Sequence, residues 1–505
     1  MASCPGFNFN EWAVVPHAPA STGPLQLPSM RPPVGCRTFT SAAVEQALEA
    51  ASRAISDPDI RQLLVNTLPN TLDTAVAWHS SSGPWPYTFV ITGDINAQWT
   101  RDSANQLLPL VRYMGRDVAL QRLIAGLVNM QAEQIAEYPF ANAYKPPPRS
   151  GLVPAENSWA AHDRVEPPFD RQRVFEAKFE IDSLAAFFKL STAYWRAARP
   201  GGSGTGAAQV PFVAAAQVPF VDTATWGRAV GGALDVLEQL QRPTLVDGNS
   251  RLTNATVTFL REASRASETS FGGGRGNPVR ETGMVRSLFR PSDDAVMLPF
   301  FVPGNAMLAV ELERLADMAQ ALGGGGFASV AARALRLARA IRAGISEHAI
   351  VDHPRHGRVY AFEVDGYGGR VMMDDANVPS LLALPYLGFV DAGDPVYQNT
   401  RRMVLSEDNP WHFAGSRIQG VGSPHTGFLR VWPMAVAVRA ITSSDPAEIR
   451  AAVQMLAGTT AGLGLMHESV SAADPAVFTR PWFAWCNGVA AELIIDTVSR
   501  FPGLL

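Results

Sequence analysis

Residues 330–345 read VAARALRLARAIRAGI, and their spacing sets the period on which the rest of the chain is read. Val330, Ala334, Leu337, Ile341 and Ile345 recur at steps of three and four, while Arg333, Arg336, Arg339 and Arg342 fall on the opposite side. Those steps follow the 3.6-residue turn of an α-helix, so the segment predicts an amphipathic helix with one buried stripe. Working outward, helical signals begin near Ser41 and continue almost to the end. At Asp445-Pro446-Ala447-Glu448 a capping acid, a proline at the first helical position and a Glu three residues after the cap predict another helix start. The clearest strand candidate is short, Tyr87 to Ile91, running into Thr92-Gly93-Asp94. About a dozen helices with few strands predict an all-α domain. Polar blocks rich in Asp, Asn, Trp and Pro separate the helices, and a toroid of helical hairpins would gather them at one end.

Residues 1–38 are proline-rich and predict an extended arm, packed on the domain or partly disordered. Residues 39–505 read as one domain with a loop insertion around 199–222. There RPGGSGTG (199–206) precedes AAQVPFVA (207–214) and its near copy AAQVPFVD (215–222), a duplication too short for a solenoid repeat. Gly272–Gly276 and Gly323–Gly326 are further glycine-rich breaks without the strand and spacing of a phosphate loop.

Composition narrows the function classes. Hydrophobic residues at 47% against 17% charged predict a large buried core, and a net charge of −4 lacks the basic footprint of a nucleic-acid binder. No run of about 20 apolar residues predicts a membrane-spanning segment. The N-terminal MASCPGFNFNEW does not read as a signal peptide. Cys4, Cys36 and Cys486 show no CxxC or Cys/His spacing. They allow one internal disulfide, Cys4–Cys36, or three free thiols. One glycosylation sequon occurs, Asn254-Ala255-Thr256. HExxH and GxSxG are absent, which removes zinc-protease and lipase-type readings.

What remains is carboxylates beside aromatics and amides. Trp99, Arg101 and Asp102 adjoin before an expected helix Ala104–Tyr113; an Arg–carboxylate pair can fork onto vicinal hydroxyls while an indole covers the apolar face of a sugar. Glu176, Glu180 and Asp182 collect where another helix begins, with Glu180 and Asp182 as the expected inward pair. Asp293 and Asp294 precede an expected apolar helix through Val296–Phe301; a neighbouring charge and partial burial raise a carboxyl pKa toward that of a general acid. Asp374, Asp375 and Asn377 precede Pro379, with too few spaced oxygens for a calcium loop. His425, Trp432, His467 and Glu468 lie in the last blocks; on a helix His467 and Glu468 would diverge by about 100° and so form no chelating pair. Helix capping accounts for each acidic block equally well when taken alone.

Taken together, the blocks resemble glycoside hydrolase family 125, in its eukaryotic, fungal-type form. They are VITGDINAQWTRDS (90–103), KFEIDSL (178–184), FRPSDDA (289–295), FVPGNAM (301–307), MDDANVPSLLALPYLG (373–388), GSPHTG (422–427), VWPMA (431–435), HES (467–469) and TRPWFAWCN (479–487). The resemblance implies an (α/α)6 toroid and an inverting exo-α-1,6-mannosidase without metal or cofactor. It implies a general acid at Asp293 or Asp294, a general base at Glu468, and Arg101 and Asp102 holding the terminal mannose. Trp99, Asp182, Asn305, Asp375, His425 and Trp432 follow as substrate contacts. The implied partner is a mannose-containing oligosaccharide or glycan, and a monomer is expected. Eukaryotic relatives imply the secretory pathway, although the sequence shows neither signal nor anchor. Two other readings fit the residues: a toroidal glycosidase for another sugar or linkage, and a non-catalytic glycan-binding protein.

Overall fold

The computed structural model describes residues 4, 6–199 and 220–505, so most of the expected insertion, including nearly all of the duplicated segment, lies outside the described residues. The opening stretch lies inside helix α10 (Gly325–His348), with Ala331, Ala334, Leu337, Ala338, Ile341, Gly344 and Ile345 buried. Part of the arginine face is paired, although Arg336 and Arg339 stay exposed. Arg333 and Arg336 pair with Glu238 of α8 (Thr223–Leu240), and Arg342 pairs with Glu313 of α9 (Val302–Leu322). Gly323 and Gly324, both at positive φ, make the break between α9 and α10.

The other helices are α1 (Phe9–Trp12), α2 (Ala42–Ala54), α3 (Pro58–Thr67), α4 (Asn70–Thr74), α5 (Thr100–Leu107), α6 (Val118–Glu137), α7 (Ile181–Ala198), α11 (Leu384–Leu387), α12 (Pro395–Val404), α13 (Pro433–Ile441), α14 (Pro446–Gly458) and α15 (Ala484–Arg500). Five of them, α5, α7, α9, α13 and α15, together with short α11, form the inner ring of an (α/α)6 toroid. Helix α5 packs on α7, α7 on α9, α9 on α11; α13 packs on α15, and α15 closes back on α5. Outside, α6 packs on α8, α8 on α10, and α14 on both α3 and α13. The inner helices are apolar on nearly every side because they face neighbours all round: α9 buries sixteen of its 21 residues, α10 only seven of 24. Helix α14 begins as expected, with Asp445 accepting the Ala447 N–H and Pro446 at its first position.

Strands are short, none above five residues among those described, and the expected one is Tyr87–Val90, paired with Val76–Ser80. Two expected helices change. Ala104–Tyr113 becomes α5 followed by a 3-10 stretch, Leu108–Arg116, because Pro109 lacks the N–H that would continue the α-helix. The run Val296–Phe301 is loop ending in a two-residue strand, and the helix starts only at Val302 with Pro303 in its first turn; Pro299 inside the run disfavours helix there.

The N-terminal arm packs on the toroid. Arg31 pairs with Asp73 and Glu45, and Met30 N–H donates to Asn66. Phe9 meets Trp482 edge to face. Cys4 is disulfide-bonded to Cys36, and Cys486 is a buried free thiol. No helix among the described residues is long and apolar enough to cross a membrane.

Candidate active site

All nine blocks lie on or just before inner helices: 90–103 at α5, 178–184 at α7, 289–307 before and into α9, 373–388 at α11, 422–435 at α13, and 467–487 before and into α15. Helix N-termini carry partial positive charge and unpaired N–H groups, so gathering them at one end favours anionic side chains there. One cavity of about 360 Å³ opens among these segments. Trp99, Arg101, Asp102, Asp293, His425, Trp432 and Glu468 line it, so seven of the eleven expected site residues meet in one place. A second cavity of about 370 Å³, between Phe179, Leu240, Val257 and Arg286, has no carboxylate in its lining.

Arg101, on the first turn of α5, is 3% exposed. Its guanidinium contacts Glu180 at 2.5 Å, Asp182 at 3.0 Å and Asp102 at 3.3 Å. Three acids around one buried cation leave an excess of negative charge. Burial, and the charges of Asp182 and Asp293, push the Glu180 carboxyl well above its ordinary range despite Arg101. Asp182 thus bears on the cavity through Arg101. Removing Arg101 would leave buried carboxylates unpaired, at a cost of about 3–5 kcal/mol.

Asp293 sits at a bend. Its N–H donates to the Arg290 carbonyl at 3.0 Å, the Arg290 N–H donates to the Asp294 carbonyl at 2.8 Å, and φ at Asp293 is +69°. Left-handed backbone is tolerated by Asp better than by most residues. At this bend Asp293 lines the cavity while Asp294 is 0% exposed, its Oδ2 3.8 Å from His425 Nδ1. Burial pushes the Asp293 carboxyl up, but Lys178, His425, Arg101 and a hydrogen bond with Glu180 outweigh it and hold the group below its ordinary value. The charges around them thus favour the protonated form of Glu180 and the carboxylate form of Asp293.

The bend is pinned from beneath. Ser292 Oγ donates to Asp375 Oδ2 at 2.7 Å, Arg290 lies 3.5 Å from the same carboxylate, and Asn377 Nδ2 donates to the Pro291 carbonyl at 2.6 Å. Asp374 accepts the N–H groups of Leu381 and Leu382, and burial pushes its pKa up to about 7. Asp375 thus holds the loop that carries Asp293 and does not line the cavity. Asn305 is further removed. Its side chain accepts the Val285 N–H and donates to the Val285 and Phe301 carbonyls, which makes it an internal bracket of α9 and corrects its expected place among substrate contacts.

Glu468 precedes the short strand Ser469–Ser471. Extended chain sends alternate side chains to opposite faces. His467 accordingly turns into the protein, stacked on Phe478 with ring centroids 3.9 Å apart, while Glu468 lines the cavity. Arg480 Nη1 stands 3.5 Å from Glu468 Oε1, and Asp94 pairs with the same guanidinium. Gly93 makes this approach possible: at φ +128° it pairs with Phe483, and a Cβ there would sit 3.2 Å from the Trp482 ring. Arg480, Lys178 and Arg290 were not singled out from the sequence; for Arg480 the reason is distance, since its partner Asp94 is 386 residues away.

Trp99 is 7% exposed, not an exposed platform, and packs edge to face on Phe175. Its Nε1, Asp293 Oδ1 and Asn377 Oδ1 have no hydrogen-bond partner among the described residues. Buried polar groups are normally satisfied, so three such atoms in one cavity lining mark it for a ligand rich in donors and acceptors.

A family model described as metal-independent α-mannosidase matches residues 57–495. The chain is 46% identical over 505 residues to the meiotically up-regulated gene 157 protein of Schizosaccharomyces pombe, covering all of this chain and 94% of that protein. It also superposes on a Streptococcus pneumoniae metal-independent α-mannosidase, solved in a non-productive complex with α-1,6-mannobiose. The TM-score is 0.78 and the identity 32%, covering 92% of this chain and 99% of that one. A glycoside hydrolase active on α-mannosides accounts for the fold, the ordered blocks and the carboxylate-lined cavity together: the chain belongs to the metal-independent α-mannosidases of glycoside hydrolase family 125.

Proposed function

We propose that this protein removes terminal α-1,6-linked mannose by exo-action with inversion of anomeric configuration, using Asp293 as general acid and Glu468 as general base. The observation that carries the reading is that these two carboxylates line one cavity from different segments. The α-1,6-mannobiose held by the pneumococcal relative supports the linkage.

In this mechanism Asp293 protonates the departing glycosidic oxygen while Glu468 takes a proton from a water attacking the opposite face of the ring. An inverting pair is spaced about 6.5–9.5 Å apart to admit that water. In this mechanism the proton starts on Glu180, which is raised while Asp293 is lowered, and sugar entry, which displaces solvent and changes the surrounding field, moves it to Asp293. After transfer, the cations of Lys178 and Arg101 stabilise the Asp293 carboxylate. Arg101, Asp102 and Trp99 hold the terminal ring, and Arg480 orients Glu468. The test is proton NMR of the first product from α-1,6-mannobiose, run beside α-1,2-, α-1,3- and gluco-configured disaccharides. Initial release of β-mannose from the 1,6-linked substrate is expected. Initial α-mannose, or faster cleavage of another disaccharide, would overturn the proposal.

A further inference from the structure

A second cluster of ligating side chains lies outside the cavity lining. Strands Ile350–His353 and Gly357–Tyr360 form a hairpin whose turn reads His353-Pro354-Arg355-His356. The two imidazole centroids are 5.0 Å apart. The turn after α12 brings Asp408 against them, with Asp408 Oδ2 2.6 Å from His356 Nε2. One ligating atom from each of the three side chains lies within 4.8 Å of the others.

We propose that His353, His356 and Asp408 form a binding site for a divalent transition-metal ion of the zinc type, structural in role and separate from the hydrolytic chemistry. Two imidazoles and one carboxylate are a donor set that zinc-type ions take, with solvent completing the coordination. Bonds of about 2.0–2.2 Å at tetrahedral angles place ligand atoms roughly 3.3 Å apart. The His356–Asp408 pair, now bridged by a proton, has to open by less than 1 Å on this reckoning, and His353 has to close in. His356 and Asp408 sit in turns and His353 ends its strand beside one, so such adjustments are small. Two hydrogen bonds give way: the one between His356 and Asp408, and the 3.2 Å bond from the Arg355 N–H to His353 Nδ1. Both are at a partly exposed surface where water replaces the lost partner.

Arg355 is the competitor. Its guanidinium is 56% exposed and pairs with both Glu407 and Asp408. An ion on Asp408 leaves it Glu407. The bound ion would tie the hairpin to the turn ending at Asn409, whose Oδ1 accepts the Asp374 N–H at 3.2 Å, one step from the support of the Asp293 loop.

The experiment is calorimetric titration of untagged, chelator-treated full-length protein with zinc chloride, with cobalt(II) absorbance as a second readout of the coordination. One equivalent is expected to bind in the micromolar range. His356→Asn and Asp408→Asn should each weaken it at least tenfold, while Arg355→Ala should tighten it a few-fold by removing the competing cation. Metal-free melting temperatures matching the parent protein show that the variants are folded. No saturable binding by the parent, unchanged binding in both ligand variants, or weaker binding in Arg355→Ala would each overturn the proposal. None of these readouts depends on mannoside hydrolysis, so the result stands apart from the reading of the cavity.

Discussion

The two carboxylates that line the cavity from different segments, Asp293 and Glu468, are held in opposite ways. Asp293 rides on an irregular bend at positive φ, below it a buried layer of Asp375, Ser292 and Arg290, beside it Lys178, Arg101 and Glu180. Glu468 leads a regular strand beside one cation, Arg480, already neutralised by Asp94. The first arrangement sits in a web of coupled charges whose proton can move. The second fixes a carboxylate's direction with one arginine and leaves its surroundings near neutral. On the proposed mechanism, an acid that must both give up and recover a proton fits the first setting, and a base that must point at one water fits the second.

The sharpest way to break this contrast is to remove each carboxylate in turn. Glu468→Gln and Asp293→Asn should each lower kcat/KM on α-1,6-mannobiose by about 10²–10⁴-fold. An aryl α-mannoside with an acidic phenol needs no protonation of its leaving group, so it should recover much of the loss in Asp293→Asn and little in Glu468→Gln. Equal recovery in both would erase the distinction. The support layer comes next. Asp375→Asn should loosen the bend that carries Asp293, costing about 1–3 kcal/mol in stability, and should lower kcat by more than it raises KM. Asn305→Ala should cost about 2–3 kcal/mol through three lost hydrogen bonds to buried backbone, measured by denaturant melts, with KM unchanged. A raised KM would return Asn305 to the substrate.

A further expected effect is on pH dependence. Asp374 is raised in the folded protein from 3.8 to about 7. A group raised on folding contributes stability that is fully present below the unfolded pKa and lost as pH rises through the folded one. The melting temperature of Asp374→Asn relative to the parent should therefore climb between about pH 4 and pH 7 and level off above. A flat difference would show that Asp374 titrates normally.

Much of this was legible in the sequence, for physical reasons that differ by element. The apolar stripe of α10 and the Asp445-Pro446 start were readable because helical period and capping act within a few residues. Arg101, the Asp293-Asp294 pair and Glu468 were readable as a set through the ordered blocks of a known family, and the structure places them at or before the starts of α5, α9 and α15. The misread run Val296–Phe301 is apolar enough for a helix, and only its proline argued otherwise. Asn305 looked like a substrate ligand because an amide that brackets backbone and one that binds a hydroxyl are the same residue in a string of letters. Asp293 could not be separated from Asp294 because their difference lies in one backbone angle. Arg480 was missed because its role depends on Asp94, at the other end of the chain.

The contact of α15 with α5 also bears on the order of events during synthesis. Arg101 and Glu468 belong to segments made far apart in time. At about 5–20 residues per second, helix α5 waits roughly 20–80 s for its closing neighbour. Until then the cavity lined by Arg101 and Glu468 is incomplete. Hydrolytic activity is thus a late clock, one that starts only when the ring has shut.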